Sequence, residues 1–252
     1  MFEYRYPQFQ SKRLLRAEML EELRDYPLHF AKIMWEDYAQ GVVSGCKISW
    51  SDGALTVGRG MIYKNKQFYF MEEPFSMECR PLDCIRYLKV RILPEKHMPG
   101  ETLGVGEILL EERAADDAFE LELCRFRLQE GARLRDRHEN FEDFSTEYDT
   151  VDFTYAPWAG KYSSVLNPAL MQQFAREMIK KDEKGIEDIS FAMAVLTGGG
   201  QVGAEAVREY IRLKTGVRPK GGIRSMYDGL LNVLKEEEQK GSGTEERNVF
   251  LI

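Results

Sequence analysis

The sequence predicts an α+β fold: N-terminal helices, a small, mainly antiparallel β-domain, and a C-terminal helical bundle. Three observations predict it. Residues 12–40 and 165–240 carry apolar side chains at helical spacing. Between them, residues 42–127 hold short β-branched and aromatic runs broken by glycine-containing turns. The run Phe119–Leu128 alternates apolar and charged residues along most of its length. Such alternation marks an antiparallel strand with one face on the core and one in water. The expected division is 1–135 for helix plus β-domain, 136–160 for an acidic-aromatic linker, 161–240 for a helical domain, and 241–252 for a flexible apolar tail.

The N-terminal segment reads as two short helices or one kinked helix. Ser11 is placed to cap the first turn. Leu15, Met19 and Leu23 repeat every four residues, then Asp25-Tyr26-Pro27 interrupts. Proline costs an interior helix a hydrogen bond but suits a first turn, so a second helix through Leu28, Phe30, Ile33, Met34 and Tyr38 is expected to end at Gly41. The next strands are read at Val42/Val43, Ile48/Trp50, Leu55/Val57, Ile62/Tyr63 and Phe68/Phe70, with turns at Ser51-Asp52-Gly53 and Asn65-Lys66. A Pro- and Cys-containing loop precedes the alternating run Ile85–Leu93. Glu95–Gly104 reads as another loop, and Val105–Leu110 as a strand.

From Glu139 to Asp152 there are six acids and no Lys or Arg, with aromatics from Phe141 to Trp158 scattered through and beyond. This reads as an irregular linker that packs its rings on its neighbours. Asn167 and Pro168 are a cap and first helical position. Helices are expected at Pro168–Ile179, Ile186–Leu196, Val202–Lys214 and Ile223–Glu238. Gly241-Ser-Gly-Thr244 reads as a flexible joint before the apolar end Val249-Phe250-Leu251-Ile252.

Composition narrows the function. The 252 residues are 43% hydrophobic and 12% aromatic, enough for a core and against global disorder. The net charge of -7 argues against a nucleic-acid surface as the main function. Residues 1–16 show no signal-peptide core, and Cys46, Cys79, Cys84 and Cys124 form no CxxC pair. Free thiols and synthesis in a reducing cytoplasm are therefore expected. The longest apolar run, Phe191–Leu196, is far short of a membrane span.

Gly198-x-Gly200-x-x-Gly203 matches the dinucleotide fingerprint by letter, but no second strand follows its helix. A plain helix hairpin is the simpler reading. The same hairpin, with Arg208, Arg212, Lys214, Arg218, Lys220 and Arg224, could read DNA or dock an acidic partner; Glu205 and Glu209 dilute it. His29, His97 and His138 stand in different elements without metal-ligand spacing. Asp116-Asp117 and the acids of 139–152 lack a calcium-loop pattern. No Gly-x-Ser-x-Gly elbow is present. No cofactor and no metal are expected.

Residues 18–71 and 105–136 carry a further signal. Asp37-Tyr-Ala-Gln-Gly-Val-Val-Ser-Gly45, Leu55-Thr-Val-Gly-Arg-Gly60-Met-Ile-Tyr-Lys64, Phe68-Tyr-Phe-Met71, and Phe119–Leu128 followed by Gly131-Ala-Arg-Leu134 resemble structural proteins of phage tails and phage-derived contractile particles, of the baseplate or fibre-attachment group. The resemblance implies a small β-domain that seats one particle component on another. It covers about half the chain and not residues 160–240. With no long fibrous repeat, it implies an adaptor or assembly component, non-enzymatic, homo-oligomeric, and partnered by other tail or particle proteins. The expected contacts are Val249, Phe250, Leu251 and Ile252 and the sheet edges. Two alternatives stand beside it. One is a regulatory or nucleic-acid-associated module built on the C-terminal helices. The other is an enzyme on a surface polymer, which would need two close carboxylates.

Overall fold

Gly41 opens the β-structure because nothing larger fits there. A Cβ at this position would lie 2.4 Å from both Ala159 N and Trp158 C. By sequence Gly41 is expected to end a helix. In the computed structural model it is instead a point of close backbone approach between the first strand and the segment before the C-terminal helices. The structure describes residues 3–4, 7–12, 14–182 and 184–245, the last ten by their backbone alone.

One helix, α1 (Ala17–Met34), precedes the sheets. It starts five residues later than expected, and Arg16 rather than Ser11 is its N-cap. Pro27 sits inside it. A proline deletes one intrahelical donor, and the helix continues on both sides of that gap.

Eleven strands follow among the described residues: β1 (Gly41–Gly45), β2 (Ile48–Ser51), β3 (Ala54–Val57), β4 (Gly60–Lys64), β5 (Gln67–Met71), β6 (Phe75–Glu78), β7 (Leu82–Ile92), β8 (Lys96–Met98), β9 (Glu101–Leu103), β10 (Gly106–Glu111) and β11 (Glu120–Leu128). They form three three-stranded sheets, ordered β1-β4-β5, β2-β3-β6 and β10-β7-β11, plus the hairpin β8-β9. Every ladder is antiparallel. Two expected loops hold strands. β6 pairs with β3 from Val57↔Phe75 to Ala54↔Glu78, hidden in the sequence between Pro74 and Pro81. The other is the exposed hairpin Lys96–Leu103, turned at Pro99-Gly100 with Gly100 at φ 93.

Among the described residues four further α-helices follow: α2 (Pro168–Lys180), α3 (Ile186–Thr197), α4 (Ala204–Thr215) and α5 (Ile223–Glu245). Asn167 caps α2 as read, its Oδ1 accepting from the Ala169 N–H at 2.9 Å. Gly216, in the left-handed region at φ 74, ends α4. α5 runs past the expected Glu238, through Gly241 and Gly243, to Glu245. Each glycine weakens a helix by only about 1 kcal/mol, and no proline stops it.

The chain builds two cores. Leu55, Leu88, Leu121, Cys124 and Leu128 sit at the centre of the β-core. Leu170, Phe174, Met178, Val195, Tyr227 and Leu230 sit at the centre of the helical core. Phe153 and Trp158 pack against both. The acidic-aromatic segment is thus the mortar between the two layers, and its Phe141 and Phe144 belong to the helical core outright.

Candidate interaction surface

Two sheet edges are closed by the segment that joins the cores. Val42 of β1 donates its N–H to Pro157 O at 2.9 Å and accepts from Ala159 N at 2.8 Å. Arg125 of β11 exchanges both backbone bonds with Asp152, at 3.0 and 2.8 Å. Edges so covered cannot accept a foreign strand. The opposite edges differ. β5 ends the β1-β4-β5 sheet and β10 ends the β10-β7-β11 sheet.

Between β5 and β10 lies a groove of about 700 Å³. All five β5 residues line it, with Gly106 and Ile108 of β10 opposite and Ile62, Val57 and Val90 among its apolar walls. Phe70 is 70% exposed at its rim. Cys46 also lines it, and burial pushes that thiol up to about 11, so it is neutral at ordinary pH. The groove therefore offers apolar contact and strand addition rather than nucleophilic chemistry.

At one end the groove meets α1 through Leu28 and Lys32. That helix is anchored by an aromatic knot just beyond its C-terminus. The Trp35 ring lies 4.2 Å from Tyr38, 5.4 Å from Tyr63 and 5.1 Å from Phe68, centroid to centroid, and the Tyr63 hydroxyl donates to Trp35 O at 3.1 Å. No residue of α1 itself is buried. Leu23, Tyr26, Phe30, Ile33 and Met34 all stand more than half exposed.

The charged face of β11 was expected to be wet. Instead Lys89 is fully buried and Glu120 is 2% exposed. Lys89 Nζ reaches Glu120 Oε2 and Glu111 Oε2, each at 2.9 Å. Arg91 Nε donates to Glu120 Oε1 at 2.8 Å, Arg113 Nη2 to the same oxygen at 2.7 Å, and the Asp116 N–H to Glu120 Oε2 at 2.8 Å. Burial alone would raise the Glu120 carboxyl; the Asp116 N–H, Lys89 and Arg91 hold it down to about 2. Nearby, fully buried Lys64 donates to Asp117 O. The alternation slips at Leu123-Cys124, where the pairing with β7 shifts register, and the loop Arg113–Ala118 that folds over this face has no signal in the sequence. Two neighbouring carboxylates, Glu111 and Glu120, are brought together here. Both are engaged by cations, so neither is poised as a proton donor near neutral pH.

Four of the six cations of the basic hairpin are likewise paired with neighbouring acids. Arg218 pairs with Glu205 and Glu209, Arg212 with Glu209, Lys214 with Asp188, and Arg224 with Asp228. The glycine run that mimics a dinucleotide loop is a helix-to-helix turn. A helix, α3, precedes it, and a Cβ on Gly200 would lie 2.1 Å from Pro168 O. His138 stacks on Phe144 at 3.9 Å, with Nε2 2.7 Å from Val151 O, while His97 meets Thr102 on the exposed hairpin. Among the described residues no group of three or more His, Cys, Asp or Glu is placed to hold a metal ion. Among those residues no helix is long and apolar enough to cross a membrane.

Val249, Phe250, Leu251 and Ile252 lie outside the described residues. Of the expected sheet edges, those of β1 and β11 are covered, and those of β5 and β10 flank the groove. Sequence reading did not single out α1 as a surface. The signal was present: Met19, Leu23, Tyr26, Phe30 and Ile33 follow one another at intervals of four, three, four and three.

No family model matches the chain, and no curated protein matches it. Among solved structures it is similar to one described as the crystal structure of TssK, at 10% identity and a TM-score of 0.37, over 92% of this chain and 69% of that one. A likeness of that size assigns neither fold nor function. The fold class rests on the elements described above.

Proposed function

We propose that this protein is a non-enzymatic structural or assembly component of a prophage or phage-tail-like particle, acting through protein–protein contacts. The observation that carries the reading is the groove between β5 and β10. It is pre-formed, bordered by a terminal strand and lined by both apolar side chains and polar ones such as Gln67, Glu95 and Thr102, which suits an extended amphipathic segment of another particle protein adding beside β5. The resemblance of residues 18–71 and 105–136 to tail proteins points the same way. The alternative, a nucleic-acid-associated module, needs a free basic face, and most of the cations on that hairpin are spent on neighbouring acids.

Co-expression with the proteins encoded beside it tests the reading. The wild-type chain is expected in a large, stoichiometric assembly, and Phe70→Glu is expected to fold but stay outside it. Equal incorporation of Phe70→Glu would remove the groove from the account. A chain that joins no assembly and binds duplex DNA with a steep salt dependence would replace the proposal with its alternative.

A further inference from the structure

We infer that α1 is a self-association helix whose partner is α1 of a second copy of this chain. The helix carries Met19, Leu23, Tyr26, Phe30 and Ile33 at alternating four- and three-residue steps, widened by Leu20 and Met34. A seam of that period is self-complementary, because each side chain can fill the space between its counterparts on an identical helix. Among the described residues nothing buries it: α1 has no buried residue, Met19 is partly covered, and Ile33 is 73% exposed, Phe30 60% and Tyr26 57%.

The area is of the right size. Leu20, Leu23, Tyr26, Phe30, Ile33 and Met34 are each about half exposed or more. At about 200 Å² for a large side chain they bare roughly 700 Å². That exceeds the roughly 300–600 Å² apolar patch of an ordinary monomer and approaches the roughly 800 Å² each partner gives to a stable interface. The polar side of the helix argues against an anionic membrane as the occupant. It bears Glu18, Glu21, Glu22 and Asp25 against Arg24 and Lys32. The groove is met by Leu28 and Lys32, which fall outside the seam at helical spacing, so the seam is separate from the β5 surface. The two readings therefore fail independently.

Sedimentation of the full chain from about 1 to about 100 µM tests the inference. The wild type is expected to associate. Leu23→Glu/Phe30→Glu is expected to weaken association at least ~100-fold, since two charges would enter an apolar seam. Because Leu23 and Phe30 are each more than half exposed in the single chain, circular dichroism of that variant should match the wild type. Glu21→Lys, on the polar side, should associate as the wild type does. A wild type that sediments as a single chain at about 100 µM overturns the inference, as does association unchanged in the double variant. A single-chain wild type that still enters the co-expressed particle would leave the proposed function standing.

Discussion

Lys89 and Glu120 form a 2.9 Å ion pair with both side chains shut away from water. The pair sits on the polar face of β7 and β11, and Arg91, Arg113 and the Asp116 N–H complete it. Desolvating two charges costs several kcal/mol, so such a pair holds only while every partner is in place. Glu120→Gln should therefore destabilise the fold by about 3 kcal/mol, because buried Lys89 keeps only Glu111, 34% exposed, as its carboxylate partner. Urea unfolding of the two proteins at neutral pH checks this. A loss under about 1 kcal/mol would mean that water reaches Lys89.

The same carboxylate sets a pH dependence. Its folded pKa, about 2, lies below the ordinary 4.5. A depressed acid contributes stability that is complete above its unfolded pKa and is lost as pH falls toward its folded one. The contribution, on the order of 3 kcal/mol, should fade between about pH 5 and pH 2. Glu111, Asp143 and Asp188 are shifted down as well and add in the same direction. Unfolding free energies measured across that window should fall in the wild type and fall less in Glu120→Gln. Parallel curves would contradict the assignment.

Gly199 and Gly200 look alike in sequence but not in space. Both have positive φ, 62 and 89. Nothing lies within 4 Å of a Cβ on Gly199, whereas one on Gly200 would strike Pro168 O. Gly199→Ala should cost about 1–2 kcal/mol from backbone conformation alone. Gly200→Ala should cost clearly more, because α2 must shift. Equal melting temperatures for the two variants would refute the close approach of this turn to α2.

Asp188 organises the helical layer. It is fully buried and takes bonds from the Tyr210 hydroxyl at 2.7 Å, Lys214 Nζ at 2.9 Å and the Gly185 N–H at 2.8 Å. Burial alone would raise its carboxyl, yet Lys214, Tyr210 and the Gly185 N–H together hold it below the usual range. Asp188→Ala should destabilise by about 3–5 kcal/mol, and Asp188→Asn by less, since the amide oxygen still accepts. Chemical denaturation of both variants checks the order.

Local physics made most of the fold legible. Asn167-Pro168 states a helix start, Gly216 a helix end, and Phe119–Leu128 an alternating strand, because each depends on neighbours in sequence. What stayed hidden depended on distance. Whether the β11 acids meet water is decided by residues 113–118 folding over them. Gly41 is needed because of Ala159, 118 positions away. β6 has no pattern of its own and is a strand because β3 offers it an edge. The surface was legible only in part: the open edges of β5 and β10 are set by which strands pair, while the α1 seam was written in its spacing.

The most direct test of an assembly role is hydrogen exchange of the chain alone and within the co-expressed particle. The account predicts slowed exchange over Gln67–Met71 and Gly106–Glu111 on assembly, with Pro168–Lys180 unchanged. Unchanged exchange along β5 and β10, with new protection confined to the C-terminal helices, would contradict it.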